Sequence, residues 1–270
     1  MTKNIAVFGL LVLWSMSGFA VESKVKLQWL GHAAFQISSN TNKTILIDPF
    51  LTNNPKTPEK LKGFINYSNV DVILVTHGHG DHVGDSIALS SRFDIPVFSP
   101  PGLNDTFISL GLLPAKLAPR FNKGGSVYPL GKNIKITMTH AEHSSEFKWK
   151  NENTGKTEIH EGGEPVGFII KLESGFTIYH MGDTGLFGDM EFIGKYYKPD
   201  LVLIPIGGHF VMDPVDAAYA INHFIKPKYA VPMHYGTFPV LRGTVNKFVE
   251  ALKGSKTKVY DMVPGDTIEF

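Results

Sequence analysis

Short apolar runs alternate with turn-forming clusters along most of this chain, and the runs have the length and β-branched content of strands. The spacing predicts strands over residues 25–30, 34–37, 44–48, 71–75, 96–98, 134–139, 166–172, 176–180, 201–205 and 229–232. Ser38-Ser39-Asn40 marks the turn between the second and third. Helices are expected over 84–92, 103–110, 214–225 and 244–252. The third of these has the clearest signature. Asp213 can cap it, Pro214 suits its first position, and Val215, Ala218, Ile221, Phe224 and Ile225 share one face. The polar, Glu- and Gly-rich stretch 151–163 reads as a loop near the site. Strands dominate the first half and strand–helix units the second, so sheets sandwiched between helices fit better than a doubly wound parallel sheet. No repeat or low-complexity linker divides the chain.

The first twenty residues stand apart from this pattern. Lys3 gives a positive start, residues 5–14 are apolar, and Ser17-Gly18-Phe19-Ala20 offers small residues before a cut. This predicts a signal peptide over 1–20, cleavage after Ala20, a single domain over 21–270, and a periplasmic or secreted location. The apolar run falls short of the ~20 residues that span a bilayer, and no later run is apolar enough to serve, so no stable membrane anchor is expected. The 270 residues include no cysteine, which excludes disulfides, thiolate ligands, thiol nucleophiles and iron–sulfur clusters. Lysine and arginine (26) nearly balance aspartate and glutamate (25) without a long basic run, so nucleic-acid binding has no support. A small-molecule substrate is the partner expected.

The informative chemistry begins directly after the apolar run Val72-Ile73-Leu74-Val75. Thr76-His77-Gly78-His79-Gly80-Asp81-His82 sets three imidazoles and a carboxylate on one short turn at a strand end. Unpartnered inside a fold, such groups are costly, whereas imidazole and carboxylate are ligands for zinc, iron and manganese. His77 and His79 can reach one ion from the same side, and Asp81 and His82 a second beside it. Further donors must come from elsewhere, and three strand ends offer them: His140 and His143 after 134–138, Asp183 after 178–180, and His234 after 229–231.

In this order the motifs resemble those of the metallo-β-lactamase superfamily of binuclear metal hydrolases. The likeness is greatest to the metal-dependent hydrolase branch related to L-ascorbate-6-phosphate lactonase. Gly31-His32-Ala33, Ile47-Asp48-Pro49-Phe50, Gly182-Asp183-Thr184-Gly185-Leu186-Phe187, Leu203-Ile204-Pro205-Ile206-Gly207 and Pro232–Pro239 carry the closer match. The resemblance implies an α/β fold, an αββα sandwich of two mixed β-sheets flanked by helices. It also implies two divalent metal ions, with zinc expected and manganese or iron as alternatives. One ion would take His77, His79 and a histidine of the 140–143 segment, with His143 favoured by its place before a Ser-Ser pair. The other would take Asp81, His82 and His234, with Asp183 shared between the two. Asp81 would orient the activated water and handle a proton during attack on a small lactone, ester or phosphoester. His32, Asp48 and His140 are expected to support the ligands or to face the substrate, Asp48 by holding a ligand imidazole through its ring N–H. His180 reads as a core or supporting histidine.

Two other readings stay open on the sequence. One is a non-catalytic periplasmic metal-binding protein that keeps the fold. The other is redox chemistry at a di-iron centre, although flavoproteins of this fold usually carry Glu where His79 stands.

Overall fold

Residues 24–270 are described in a computed structural model of the chain, and the expected signal peptide lies outside them. The first half runs β1 (Lys26–Gly31), β2 (Ala34–Ser38), β3 (Thr44–Ile47), β4 (Val72–Leu74), α1 (Gly80–Val83), α2 (Ser86–Phe93), β5 (Val97–Phe98), α3 (Pro101–Ser109), β6 (Ser126–Val127) and β7 (Lys135–His140). A hairpin of β8 (Glu146–Lys150) and β9 (Thr157–Glu161) follows. The second half runs β10 (Val166–Lys171), β11 (Thr177–His180), α4 (Met190–Tyr197), β12 (Leu201–Pro205), α5 (Pro214–Tyr219), β13 (Tyr229–Met233), α6 (Val245–Ala251), β14 (Lys258–Val259) and β15 (Thr267–Glu269).

Two mixed sheets result. The first has the order β15-β1-β2-β3-β4-β5 and the second β14-β13-β12-β11-β10-β7-β6. In each, a parallel block adjoins an antiparallel one: β3, β4 and β5 run parallel, as do β11 to β14. The period-2 alternation of side chains explains why both sheets are covered on both faces. Ile45, Ile47, Val72 and Leu74 point inward to meet Met138, Phe168, Ile178, Leu203 and Val231 of the opposite sheet. Their neighbours Leu46 and Ile73 point outward under Leu89 of α2 and Leu103 and Phe107 of α3. Val202, Ile204 and Ala230 likewise meet Met190, Ala217, Ala218, Ile221 and Phe248 of the helices on the far side. Three apolar interfaces between four layers give the αββα sandwich expected from the sequence.

Carboxylates and hydroxyls pin the starts of elements. Asp71 accepts the Thr44 backbone N–H at 2.8 Å, and Asp200 accepts that of Thr177 at 3.0 Å. Asp213 caps α5 through the N–H groups of Val215 and Asp216, and Thr244 caps α6 through that of Lys247. Each such cap is worth about 1 kcal/mol.

Several expectations need correction. Residues 214–225 are not one α-helix, because Ala220–Ile225 continues α5 as a π-helical turn. The helix expected at 84–92 is Ser86–Phe93, and the shorter α1 precedes it within the histidine run itself. The stretch 151–163 is not simply loop: Thr157–Glu161 pairs with Glu146–Lys150, and Phe147 alone of that hairpin is fully inserted in the apolar layer. The short edge strands β6, β14 and β15 and the helix α4 carry no periodic signal strong enough to predict them.

Candidate metal centre

The parallel blocks of the two sheets end on the same side, and the donor-rich loops leave from those ends. Asp48 follows β3, the run His77–His82 follows β4, Asp183 follows β11, and His234 follows β13. Backbone bonds lace the loops together: His234 N–H to the His32 carbonyl at 3.1 Å, Val166 N–H to that of Thr76 at 3.0 Å, and Gly185 N–H to that of Glu142 at 2.9 Å. His32, Asp48 and His234 all hold left-handed backbone, with φ of +56°, +45° and +56°. Non-glycine residues adopt that region at a cost of about 1 kcal/mol or more, and such residues cluster at functional sites. Gly182 is also left-handed, at φ +63°, and a Cβ there would lie 2.6 Å from the Val166 carbonyl oxygen. Only glycine lets the chain turn there to present Asp183.

Asp183 is the hub. Its Oδ2 lies 2.9 Å from His234 Nε2, 3.6 Å from His143 Nε2 and 4.0 Å from His77 Nε2, and its Oδ1 lies 3.2 Å from His82 Nε2. All five side chains are buried or nearly so. Yet Asp183 Oδ1, His82 Nε2 and both ring nitrogens of His234 make no hydrogen bond. Buried polar atoms ordinarily find partners. Polar atoms this close together and still unaligned suit a common cation.

The imidazole network argues the same way. Thr76 donates its hydroxyl to Asp48 Oδ2 at 2.8 Å, so it accepts from His77 Nδ1 at 3.0 Å. That leaves His77 Nε2 unprotonated. His79 Nε2 faces Glu146 Oε2 at 3.1 Å, which leaves His79 Nδ1 unprotonated too. These two lone-pair nitrogens nevertheless stand 2.9 Å apart. The tautomers are assigned from the network, and on that assignment the pair repels unless an ion lies at both. His82 Nδ1 in turn donates to Asp48 Oδ2 at 2.8 Å, and Asp48 Oδ1 takes the Thr76 backbone N–H at 2.8 Å. One buried carboxylate thus orients two imidazoles.

Electrostatics follow from this crowding. Burial raises the Asp183 carboxyl, but His234 and His82 outweigh it and hold it well below the usual range. Burial lowers His82, but Asp183 and Asp48 win and raise it well above the ordinary imidazole value. Burial and then the His82 ring push His77 well down, and burial also lowers His143. Asp81 resists burial through its bond to His32 and the nearby His82, and its carboxyl is held low. Neutral imidazoles and ionised carboxylates are the states that bind metal, so His77, His143, Asp81 and Asp183 suit an ion as they stand, whereas His82 would release its second proton to one.

Three donor groups therefore emerge, each with ligand atoms within 4.8 Å of one another: His77, His79 and His143; His77, His82 and Asp183; and His32, Asp81, His82 and His234. All seven residues read from the sequence as ligands fall in these groups. His143 joins them and His140 does not, since His140 is 41% exposed and pairs with Glu142 at 3.2 Å. His32 belongs to the third group, closer to the donors than its expected supporting part required. His180 is a core histidine, accepting the Gly182 N–H at 3.1 Å and donating Nε2 to the Ala33 carbonyl at 2.9 Å. Sequence reasoning assigned no part to Thr76, Glu146 or Thr237. All three lie close in sequence to expected donors, Thr76 beside His77, Glu146 three residues after His143 and Thr237 three after His234, but the partners of Glu146 and Thr237, His79 and His32, are met only through the fold.

Comparison with known proteins agrees with this architecture. A family profile described as "Beta-lactamase superfamily domain" matches residues 26–234. A UPF0173 metal-dependent hydrolase of Polaromonas sp. is 54% identical over 247 residues, covering 92% of this chain and 90% of that one. Another, from Cupriavidus metallidurans, is 51% identical over 256 residues, covering 94% and 88%. Among solved structures, Igni18, described as a novel metallo hydrolase from the hyperthermophilic archaeon Ignicoccus hospitalis, superposes with a TM-score of 0.77. It is 33% identical, with 92% of this chain and 99% of that one covered. The chain belongs to the β-lactamase superfamily, among the UPF0173 metal-dependent hydrolases.

Proposed function

We propose that this protein is a binuclear metal-dependent hydrolase acting on a small lactone, ester or phosphoester. His77, His79 and His143 would hold one ion, Asp81, His82 and His234 the other, with Asp183 shared. The observation that carries the reading is the set of polar atoms on Asp183, His82 and His234 that stand within ion-pair distance yet make no aligned hydrogen bond, among four further donors. The donor set is all nitrogen and oxygen, which suits zinc first and manganese or iron next. When bound, such ions polarise a carbonyl or phosphoryl oxygen and lower the pKa of water toward neutrality.

The chain's own residues supply the rest. Asp48 and Thr76 keep His77 and His82 in the tautomers that leave Nε2 free. Asp81, with 29% of its side chain exposed, is the carboxylate placed to take a proton from an attacking water and return it to the leaving group. His79 and Glu146 stand at the open side, with 27% and 53% exposed. The lactone option rests on the sequence likeness to L-ascorbate-6-phosphate lactonase. We also infer export, on the charge and apolar pattern of residues 1–20.

The test is metal counting together with a substrate panel. Protein loaded separately with zinc, manganese and iron should hold two ions per chain and turn over at least one lactone, ester or phosphoester. Two bound ions with no turnover on the whole panel would favour the non-catalytic reading instead.

A further inference from the structure

His32 is completely buried, held in left-handed backbone at φ +56°, and contacts polar groups at both ring nitrogens. Nε2 lies 3.1 Å from Asp81 Oδ2, and Nδ1 lies 2.9 Å from Thr237 Oγ1. An ionised Asp81 can only accept, so Nε2 carries the proton and donates. Nδ1 is then the acceptor, and the Thr237 hydroxyl, which can donate, completes the line. We propose that Thr237 and His32 form a two-residue relay that positions Asp81, the hydroxyl fixing the imidazole tautomer and the imidazole fixing the carboxylate.

The surroundings are built for this. The His32 ring is boxed edge-on by Phe50 and Phe238, at centroid distances of 6.0 Å and 5.6 Å, and lies 3.8 Å from the His234 ring. Its carbonyl accepts from Trp29 Nε1 at 3.0 Å and from the His234 N–H at 3.1 Å. The β1–β2 turn is thereby stitched to the loop that bears Thr237. With ring and backbone both fixed, the only freedom left to His32 is which nitrogen is protonated. Thr237 removes it. One Asp81 oxygen is committed to His32, leaving the other for the chemistry. The inference rests on the reading of Asp81 as part of the centre, but it concerns residues that reading does not need.

Thr237→Val tests it, since valine matches threonine in shape and deletes only the hydroxyl. Thr237→Ser restores the donor. In the zinc-loaded wild type, nitrogen-detected NMR should show His32 protonated at Nε2, and Thr237→Val should lose that single tautomer. Chelator competition should show zinc held 10–100-fold less tightly in Thr237→Val, the range seen when a ligand's supporting partner is removed. Its kcat should fall by a like factor with KM retained, and Thr237→Ser should recover both zinc affinity and kcat. An Nε2 without its proton, as in a histidine that itself binds the ion, overturns the relay. So does a Thr237→Val protein indistinguishable from wild type, or a Thr237→Ser protein as impaired as Thr237→Val. If the wild type hydrolyses nothing, the hydrolase reading fails, while the tautomer and zinc affinity still decide the relay.

Discussion

Asp48 Oδ2 accepts from His82 Nδ1 at 2.8 Å, with both side chains wholly buried and Asp48 in left-handed backbone. The carboxylate also holds Thr76, which holds His77. A residue that touches no more than one donor directly therefore orients two of them.

Asp48→Asn should separate this role from the backbone strain, because asparagine tolerates the left-handed region as readily as aspartate. The amide keeps the shape but loses the charge and one of the two acceptors. Zinc retention should weaken 10–100-fold, as expected for loss of a residue that orients metal-binding imidazoles. Dialysis against graded chelator followed by metal analysis measures it. Retention equal to that of wild type would reduce Asp48 to a structural turn residue.

The histidines of the 140–143 segment should behave oppositely. His143 Nε2 lies 3.6 Å from Asp183, whereas His140 pairs with Glu142 at the surface. His143→Ala should lose an ion and at least 100-fold in turnover, comparable to His79→Ala, since metal-site chemistry needs its donors intact. His140→Ala should keep both ions and most activity. Metal content and steady-state rates of the three variants decide the matter, and a reversed order would hand the site to His140.

Much of this was legible before any coordinates. The donors lie in short runs at the ends of strongly apolar strands, and strand ends on one side of a sheet must converge. His77–His82, His143, Asp183 and His234 could therefore be picked out from local pattern and family likeness together. What stayed hidden depends on pairing between distant segments. The β8–β9 hairpin reads as polar loop because only one of its faces is covered, leaving Ile159 68% exposed among glutamates and lysines. Helix α4 turns Phe192 and Tyr196 to solvent at 58% and 67% exposure, which blurs its apolar stripe. Thr237 lies 205 positions from His32, and no local rule joins them.

Metal removal should make the fold acid-sensitive. Burial and the neighbouring His234 ring lower His32 to about 4, and His77, His143 and His180 are lowered as well. A histidine kept neutral by the fold lends stability above the ordinary imidazole value near 6.5, and that contribution is lost as pH falls toward the folded value. His32 alone accounts for on the order of 3 kcal/mol across this window, at about 1.4 kcal/mol per pH unit. His82 acts in the other sense, because its raised value contributes below 6.5 and is lost as pH rises. Below 6.5 the His82 contribution is constant, so the lowered imidazoles set the slope. The urea midpoint of chelator-treated protein should fall steadily between pH 7 and pH 4. A midpoint that holds steady or rises on acidification would show that the buried imidazoles are not kept neutral by the fold.

The hairpin should matter to the metal loop although it contributes no ligand to the reading above. Ser145 Oγ accepts the Gly78 N–H at 2.9 Å and donates to the Gly162 carbonyl at 2.8 Å, so one hydroxyl clamps the loop between His77 and His79 to the residue that follows β9. Neither glycine has room for a side chain. A Cβ on Gly78 would meet Gly162 Cα at 2.8 Å, and one on Gly162 would meet the Ser145 carbonyl oxygen at 2.2 Å. Both obstacles are backbone, so the hairpin would have to lift. Gly162→Ala should therefore cost about 1–3 kcal/mol, as overpacking does, and should loosen the ion proposed at His77 and His79. Ser145→Ala keeps the space and removes only the clamp, so it should loosen that ion with a smaller loss of stability. Urea melts and chelator competition on the two variants separate packing from clamping. If Gly162→Ala binds both ions as wild type does, the hairpin is a cover and not part of what shapes the site.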